Sequence, residues 1–199
     1  MTKKTTASLL YELAEPQQGF FTTRQAQDAG FSKKNHAYHV QAGHWVREYR
    51  GIFRLANFPR PDQPDLMLWY LWSRNQKQIP QGVYSHQTAL TLYDLSDLMP
   101  AKLHMTVPLS FRRRVPVPKI LVLHYSDLTK NDISKGMRVS VTTPLRTLCD
   151  VVKEGSLSKD IIRQAVRDSL SRGLVRQGEI EKIPSLAPFA HPILIGKPA

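Results

Sequence analysis

The sequence predicts an α+β fold: a helix-rich front that closes in a β-hairpin, followed by a small mixed α/β domain. Three observations predict it. Short helical patterns with their own caps precede HWVREYRGIFRLANF, where Trp45–Val46 and Ile52–Phe53–Leu55 flank a tight turn. A break, Pro59-Arg60-Pro61-Asp62-Gln63-Pro64, can continue neither a helix nor a central strand. Beyond it, helical and strand patterns alternate. This organisation gives residues 1–58 as one domain, 59–64 as a linker, 65–184 as a second domain and 185–199 as an extended, proline-containing tail.

Within the front, a first helix runs from about Thr5 to Ala14, with Leu9, Leu10 and Leu13 as its apolar stripe, and stops at Pro16 and Gly19. A second helix follows Thr22 or Thr23, either of which can cap it, and ends at Ala29-Gly30. Ser32 caps a third helix that reaches Ala42 and ends at Gly43. Its spacing puts Ala37 and Val40 inward and Asn35, Tyr38 and His39 outward. Helix, helix, tight turn, helix and two-stranded hairpin is the order of a winged helix-turn-helix.

Behind the break, 65–75 and 85–93 read as helices. KLHMTVP, KILVLHY and MRVSVT read as strands, with Arg112-Arg113-Arg114 in the loop between the first two. Thr143-Pro144 opens a helix through Val152, and Ser158 caps a long one from Lys159 to Arg172. A short helix near 177–182 completes the domain.

The charge points to an anionic partner. Lys and Arg number 28 against 16 Asp and Glu, a net of +12 over 199 residues. Residues 1–60 carry Lys3, Lys4, Arg24, Lys33, Lys34, Arg47, Arg50, Arg54 and Arg60 against Glu12, Glu15, Asp28 and Glu48, a net of +5. Lys33 and Lys34 begin the third helix, where its dipole disfavours cations, so an external phosphate accounts for them. Asn35 suits a bidentate contact to adenine, with Tyr38 and His39 beside it. Arg47, Arg50 and Arg54 on the hairpin, and Arg24 on the second helix, suit the DNA backbone or minor groove. A second basic patch combines Arg112, Arg113 and Arg114 with Lys159, Arg163 and Arg167, spaced by four on one helix face.

Several chemistries are expected to be absent. The single Cys149 rules out an internal disulfide and lies in an apolar stretch. His36, His39 and His44 have no cysteine or carboxylate at ligand spacing, so neither metal nor cofactor is expected. Ser85-His86 reads as a helix start rather than part of a triad, and Asp150 with Lys153 as a chance pairing rather than a nuclease centre. No stretch approaches the roughly 20 apolar residues of a membrane span, and no signal peptide is evident, so a cytoplasmic, non-enzymatic protein is expected.

Four blocks resemble the AbiEi-type antitoxins of type IV toxin–antitoxin (abortive infection) systems. They are FFTTRQAQDAGFSKKNHAYHVQAGHWVREYRGIFRL, YSHQTALTLYDLSD, LHMTVP and TTPLRTLCDVV. Together they run over about residues 5–175; Tyr93 stands where the family usually has His. The resemblance implies a protein that binds inverted repeats in its own promoter and represses its operon. It also implies a C-terminal domain that counters a nucleotidyltransferase-type toxin. Lys33, Lys34, Asn35, Arg47 and Arg50 occupy the matching helix and wing positions. Two other readings compete: a stand-alone winged-helix regulator without a toxin, and a DNA-processing enzyme with a winged-helix specificity domain. The latter needs clustered acids on strands, which the sequence does not offer.

Overall fold

A computed structural model describes residues 4–190. The chain is mixed α and β, and it divides into two units, Met1–Gly82 and Val83–Ala199.

In the first unit α1 (Thr6–Ala14) is capped by the Thr5 side chain on the Ser8 amide. Its inward residues are Leu10 and Ala14, while Leu9 and Leu13 are 37% and 38% exposed, so the expected three-leucine stripe is rotated by part of a turn. A strand that the sequence pattern did not reveal follows: β1 (Phe20–Thr22), only three residues long and wholly buried. α2 (Thr23–Asp28) begins with a capping box in which Thr22 and Gln25 satisfy each other's backbone amides. The expected third helix is split. Lys33–Asn35 form a 3₁₀ turn, and α3 (His36–Gln41) continues from it. β2 (Trp45–Tyr49) and β3 (Ile52–Leu55) form the hairpin, and Gly51 takes the positive φ of +74° that its turn requires. β3 lies centrally, so the sheet order is β1-β3-β2, antiparallel throughout. The core gathers Leu10, Ala14, Phe21, Ala26, Ala29, Trp45 and Phe53.

α4 (Pro64–Trp72) begins on proline, whose missing N–H is not needed there. The sequence assigns this helix to the second domain, across a linker at 59–64. Instead it packs on β1 and β3, with Trp69 edge-on to Tyr49 at 5.1 Å. The division between units falls at Gly82. The prolines turn the chain; they do not separate domains.

The second unit opens with β4 (Val83–Tyr84) and α5 (His86–Leu92). β5 (Leu103–Val107) pairs antiparallel with β4 and parallel with β6 (Leu121–Tyr125). α6 (Pro144–Glu154) has Thr143 as its cap and ends on Gly155; α7 (Lys159–Ser171) is capped by Ser158. α8 (Gln177–Glu181) follows. The expected strand at MRVSVT is reduced to isolated bridges, Tyr84 with Val141 and Ile133 with Thr142. The expected extended tail is corrected over 185–190. There Ala187–Phe189 form a 3₁₀ turn and Leu186 is fully buried. Residues 191–199 of that tail lie outside the described residues.

Candidate nucleic-acid interface

The outer face of α3 is open. Its inward side is built from His36, which is 6% exposed and meets Trp45 and Phe53 edge-on at 5.2 and 5.8 Å, together with half-buried Val40 and His39. This phase departs from the expected one in part: Val40 packs inward as expected, but Ala37 is exposed and a histidine takes the core position. The 3₁₀ turn, wound more tightly than an α-helix, offsets the helix phase relative to a continuous helix from Ser32. Lys34, Ala37, Tyr38 and Gln41 therefore share the outer stripe, three, four and seven residues apart, and all are exposed.

Lys33 and Arg47 come together. With Thr23, Ala37, Gln41 and Phe53 they line an open depression of about 420 Å³ beside α3. Both cations are exposed, one from the turn before the helix and one from β2. Asn35 is also exposed. It stands at the helix cap position without using its side chain as a cap, which leaves the amide available. Arg50 is exposed at the tip of the hairpin. Gln41 was missed in the sequence because the expected helix phase left it unassigned; with His36 inward its outward position follows.

Two expected contacts, Arg54 and His39, are engaged within the unit, and a third, Arg24, is exposed but ion-paired. Arg54 is committed within the unit: Nε donates to Glu48 at 2.8 Å, Nη1 donates to the Leu55 and Phe58 carbonyls, and its side chain is only 11% exposed. It braces the hairpin. His39 lies flat on Trp45, ring centroids 4.6 Å apart, with Nδ1 at 3.3 Å from Nδ1 of His44. Burial, then the neighbouring His44 and His36, hold its pKa below the ordinary histidine value, so it carries no charge for a phosphate near neutral pH. Arg24 faces solvent but pairs with Asp28 at 3.1 Å. Tyr38, 62% exposed, remains on the open face.

In the second unit, Arg112 donates to the Leu109 and Phe111 carbonyls at 2.8 Å, and Arg113 and Arg114 are exposed. On α7, Arg163 pairs with Asp160 at 2.8 Å and Arg167 approaches Asp168 at 3.7 Å, while Lys159 is exposed. Two of the six cations of the second basic patch are thus paired with a neighbouring carboxylate. The sequence blocks around Ser85 and Arg146 meet in a polar cluster instead. The Ser85 hydroxyl accepts from Thr106 Oγ1 at 2.8 Å and lies 2.9 Å from His86 Nδ1. His86 stacks on His124 at 3.5 Å, and Arg146 pairs with Asp150 at 2.8 Å. Among the described residues no helix is long and apolar enough to cross a membrane.

An exposed, cation-flanked helix thus stands on a small α and β unit, and comparison with known families bears on the same unit. Residues 8–56 match the family described as "Transcriptional regulator, AbiEi antitoxin", and over that segment the chain is similar to AbiEi-type antitoxins. The match lies within the first unit, whereas the resemblance in the sequence blocks extends to about residue 175. The chain is also similar to a solved structure, "Crystal structure of RV2827C protein from Mycobacterium tuberculosis". The two share 12% identity with a TM-score of 0.55, over 95% of this chain and 76% of that one; at such identity the likeness concerns fold alone. Comparison with curated proteins finds no match.

Proposed function

We propose that the first unit is a winged helix-turn-helix that docks on duplex DNA, and that the chain is an antitoxin that represses its own operon. In this reading α3 enters the major groove and the β2–β3 hairpin is the wing. One observation carries it: Lys33 and Arg47 line the same depression beside an outer helix face that is fully open. Lys33, Lys34, Arg47 and Arg50 hold phosphates. Asn35 and Gln41 carry the amides that pair with adenine N6 and N7, and Ala37 offers a methyl to thymine. Tyr38 completes the face. Arg54 and His39 support the interface from behind, and Arg24 is a lesser phosphate contact because Asp28 competes for it.

The test is binding to the chain's own upstream region against random duplex at several salt concentrations. Lys33→Ala and Arg47→Ala weaken binding to both DNAs, and each lowers the salt slope by about 1. Asn35→Ala costs about 1–3 kcal/mol on the upstream site only and so relaxes discrimination. Equal affinity of the wild-type chain for upstream and random duplex would overturn the repressor reading. An unchanged salt slope in both cation variants would overturn the interface.

The second unit is assigned to countering a nucleotidyltransferase-type toxin, with Arg112, Arg113, Arg114 and the Lys159 end of α7 as its basic surface. That assignment rests on the sequence blocks of the second unit, since the family match ends at residue 56. The same limit supports a second reading, a stand-alone regulator. A toxin gene beside this one whose product this chain neutralises on co-expression decides for the first; its absence decides for the second.

A further inference from the structure

We propose that the second unit holds a zinc-class divalent cation between His104, His124 and Glu154, with a fourth position left to solvent or a small ligand. Its residues all belong to the second unit, and it does not depend on the DNA-binding reading.

The geometry arises from parallel pairing. β5 and β6 run side by side with Thr106 opposite His124, and His104 stands two residues before Thr106 on the same face. His104 Nδ1 and His124 Nε2 are therefore 3.0 Å apart. Two nitrogens bound to one tetrahedral zinc at 2.0–2.1 Å lie about 3.3 Å apart, close to the spacing found. Glu154, the last residue of α6, brings Oε1 to 3.9 Å from the first nitrogen and 4.0 Å from the second. The three donor atoms lie within 4.8 Å of one another, and among the described residues they are the one such group of ligating side chains. Glu154 is the last residue of its helix, its side chain is 22% exposed and its Oε2 accepts from Ser156 Oγ at 2.8 Å, so a small swing of Oε1 closes the remaining two edges.

The surroundings fix the rings. His86 stacks on His124 at 3.5 Å with 11° between planes, and its Nδ1 is held by the Ser85 hydroxyl, itself bound by Thr106. Asp150, one turn before Glu154, acts on His124 by charge and is anchored by Arg146. Supports of this kind orient ligating histidines. Of the charged groups acting on the two histidines, the acids Glu154 and Asp150 outnumber the base Lys102, although the whole chain is net +12. That local reversal suits a dication. Two imidazoles and one carboxylate favour zinc, cobalt or iron(II) over magnesium or calcium, which prefer oxygen alone. In the metal-free chain one imidazole donates to the other; on coordination it adopts the other tautomer, and both nitrogens present lone pairs.

The experiment uses the full chain, stripped with a chelator and titrated with Zn²⁺ against a chromogenic competitor, then with Co²⁺ while the visible spectrum is followed. One equivalent per chain is expected, with cobalt bands of a four- or five-coordinate site. Glu154→Gln and His124→Ala should each weaken binding by more than the roughly 10–100-fold typical of losing a supporting group. His39→Ala combined with His44→Ala, which removes the other histidine pair, should leave both readouts as they were. Far-ultraviolet circular dichroism checks that each variant is folded, and Glu154→Gln alters only the last residue of a helix. Binding and cobalt spectra unchanged in folded Glu154→Gln, or one-equivalent binding that vanishes only in the His39/His44 variant, would overturn the site. Failure of the stripped wild-type chain to compete for zinc would also overturn it.

Discussion

His36 shows how one side chain sets the face of a helix. Placed inward against Trp45 and Phe53, it turns Ala37 and Gln41 toward solvent. Burial is the main cause that lowers its pKa; a hydrogen bond with the Phe31 backbone opposes it and the Lys33 charge assists. The unfolded chain therefore takes up this proton at higher pH than the folded one. Stability is complete above the ordinary histidine pKa of about 6.5 and declines as pH falls below it. His36→Phe keeps the aromatic contacts and removes the titration. Its unfolding free energy from denaturant melts between pH 7.5 and 5 should fall less steeply than that of wild type, with some slope left because His39, His86, His104 and His124 are shifted in the same direction. A wild-type slope retained in full by His36→Phe would mean that this ring is not the group that titrates. The sequence reading placed Ala37 inward because alanine is apolar and histidine usually is not core. Side-chain type alone did not reveal that the 3₁₀ turn displaces the helix start.

Between residue and fold, α2 depends on a partner far along the chain. Its capping box, Thr22 with Gln25, was legible, since threonine before a helix and glutamine three residues on are local signals. Arg74, 8% exposed, was not: it donates from Nη1 to Thr22 Oγ1 at 3.1 Å and Gln25 Oε1 at 3.0 Å, and from Nη2 to Gln17 Oε1. Those partners lie 49 to 57 residues back, beyond the reach of any periodicity. Burial lowers its pKa to about 10, so the guanidinium is still charged at pH 7. Hydrogen bonds to a charged group contribute about 1.5–3 kcal/mol, so Arg74→Met should cost at least about 2 kcal/mol. Thr22→Ala, which removes the cap and only one of the three Arg74 contacts, should cost about 1 kcal/mol. Thermal melts of the two variants check the order. If Thr22→Ala is the more damaging, Arg74 is a bystander. The short β1 escaped detection for a related reason: three buried residues carry no alternation, and only their pairing with β3 makes them a strand.

For the whole molecule, α4 decides where the first unit ends. Proline clusters usually mark linkers, and the sequence reading divided the chain at 59–64 on that basis. The structure sends α4 back onto β1 and β3, and the apolar side chains of that helix explain the choice. Met67, Leu68, Leu71 and Trp72 are all less than 10% exposed, and Trp69 packs on Tyr49. Full burial of a large apolar side chain contributes about 1.5–3 kcal/mol, so four of them amount to about 6–12 kcal/mol. That is comparable with the entire stability of a typical small domain, about 5–15 kcal/mol. A fragment ending at residue 60 also lacks Arg74 and so loses the clamp on α2. Residues 1–82 should therefore melt cooperatively and retain salt-dependent binding to the upstream duplex, while residues 1–60 should give no cooperative transition. The second basic patch lies outside both fragments, so any fall in affinity of 1–82 relative to the full chain measures what that patch adds. A cooperative melt of 1–60 at the temperature of 1–82 would return α4 to the second domain and restore the linker.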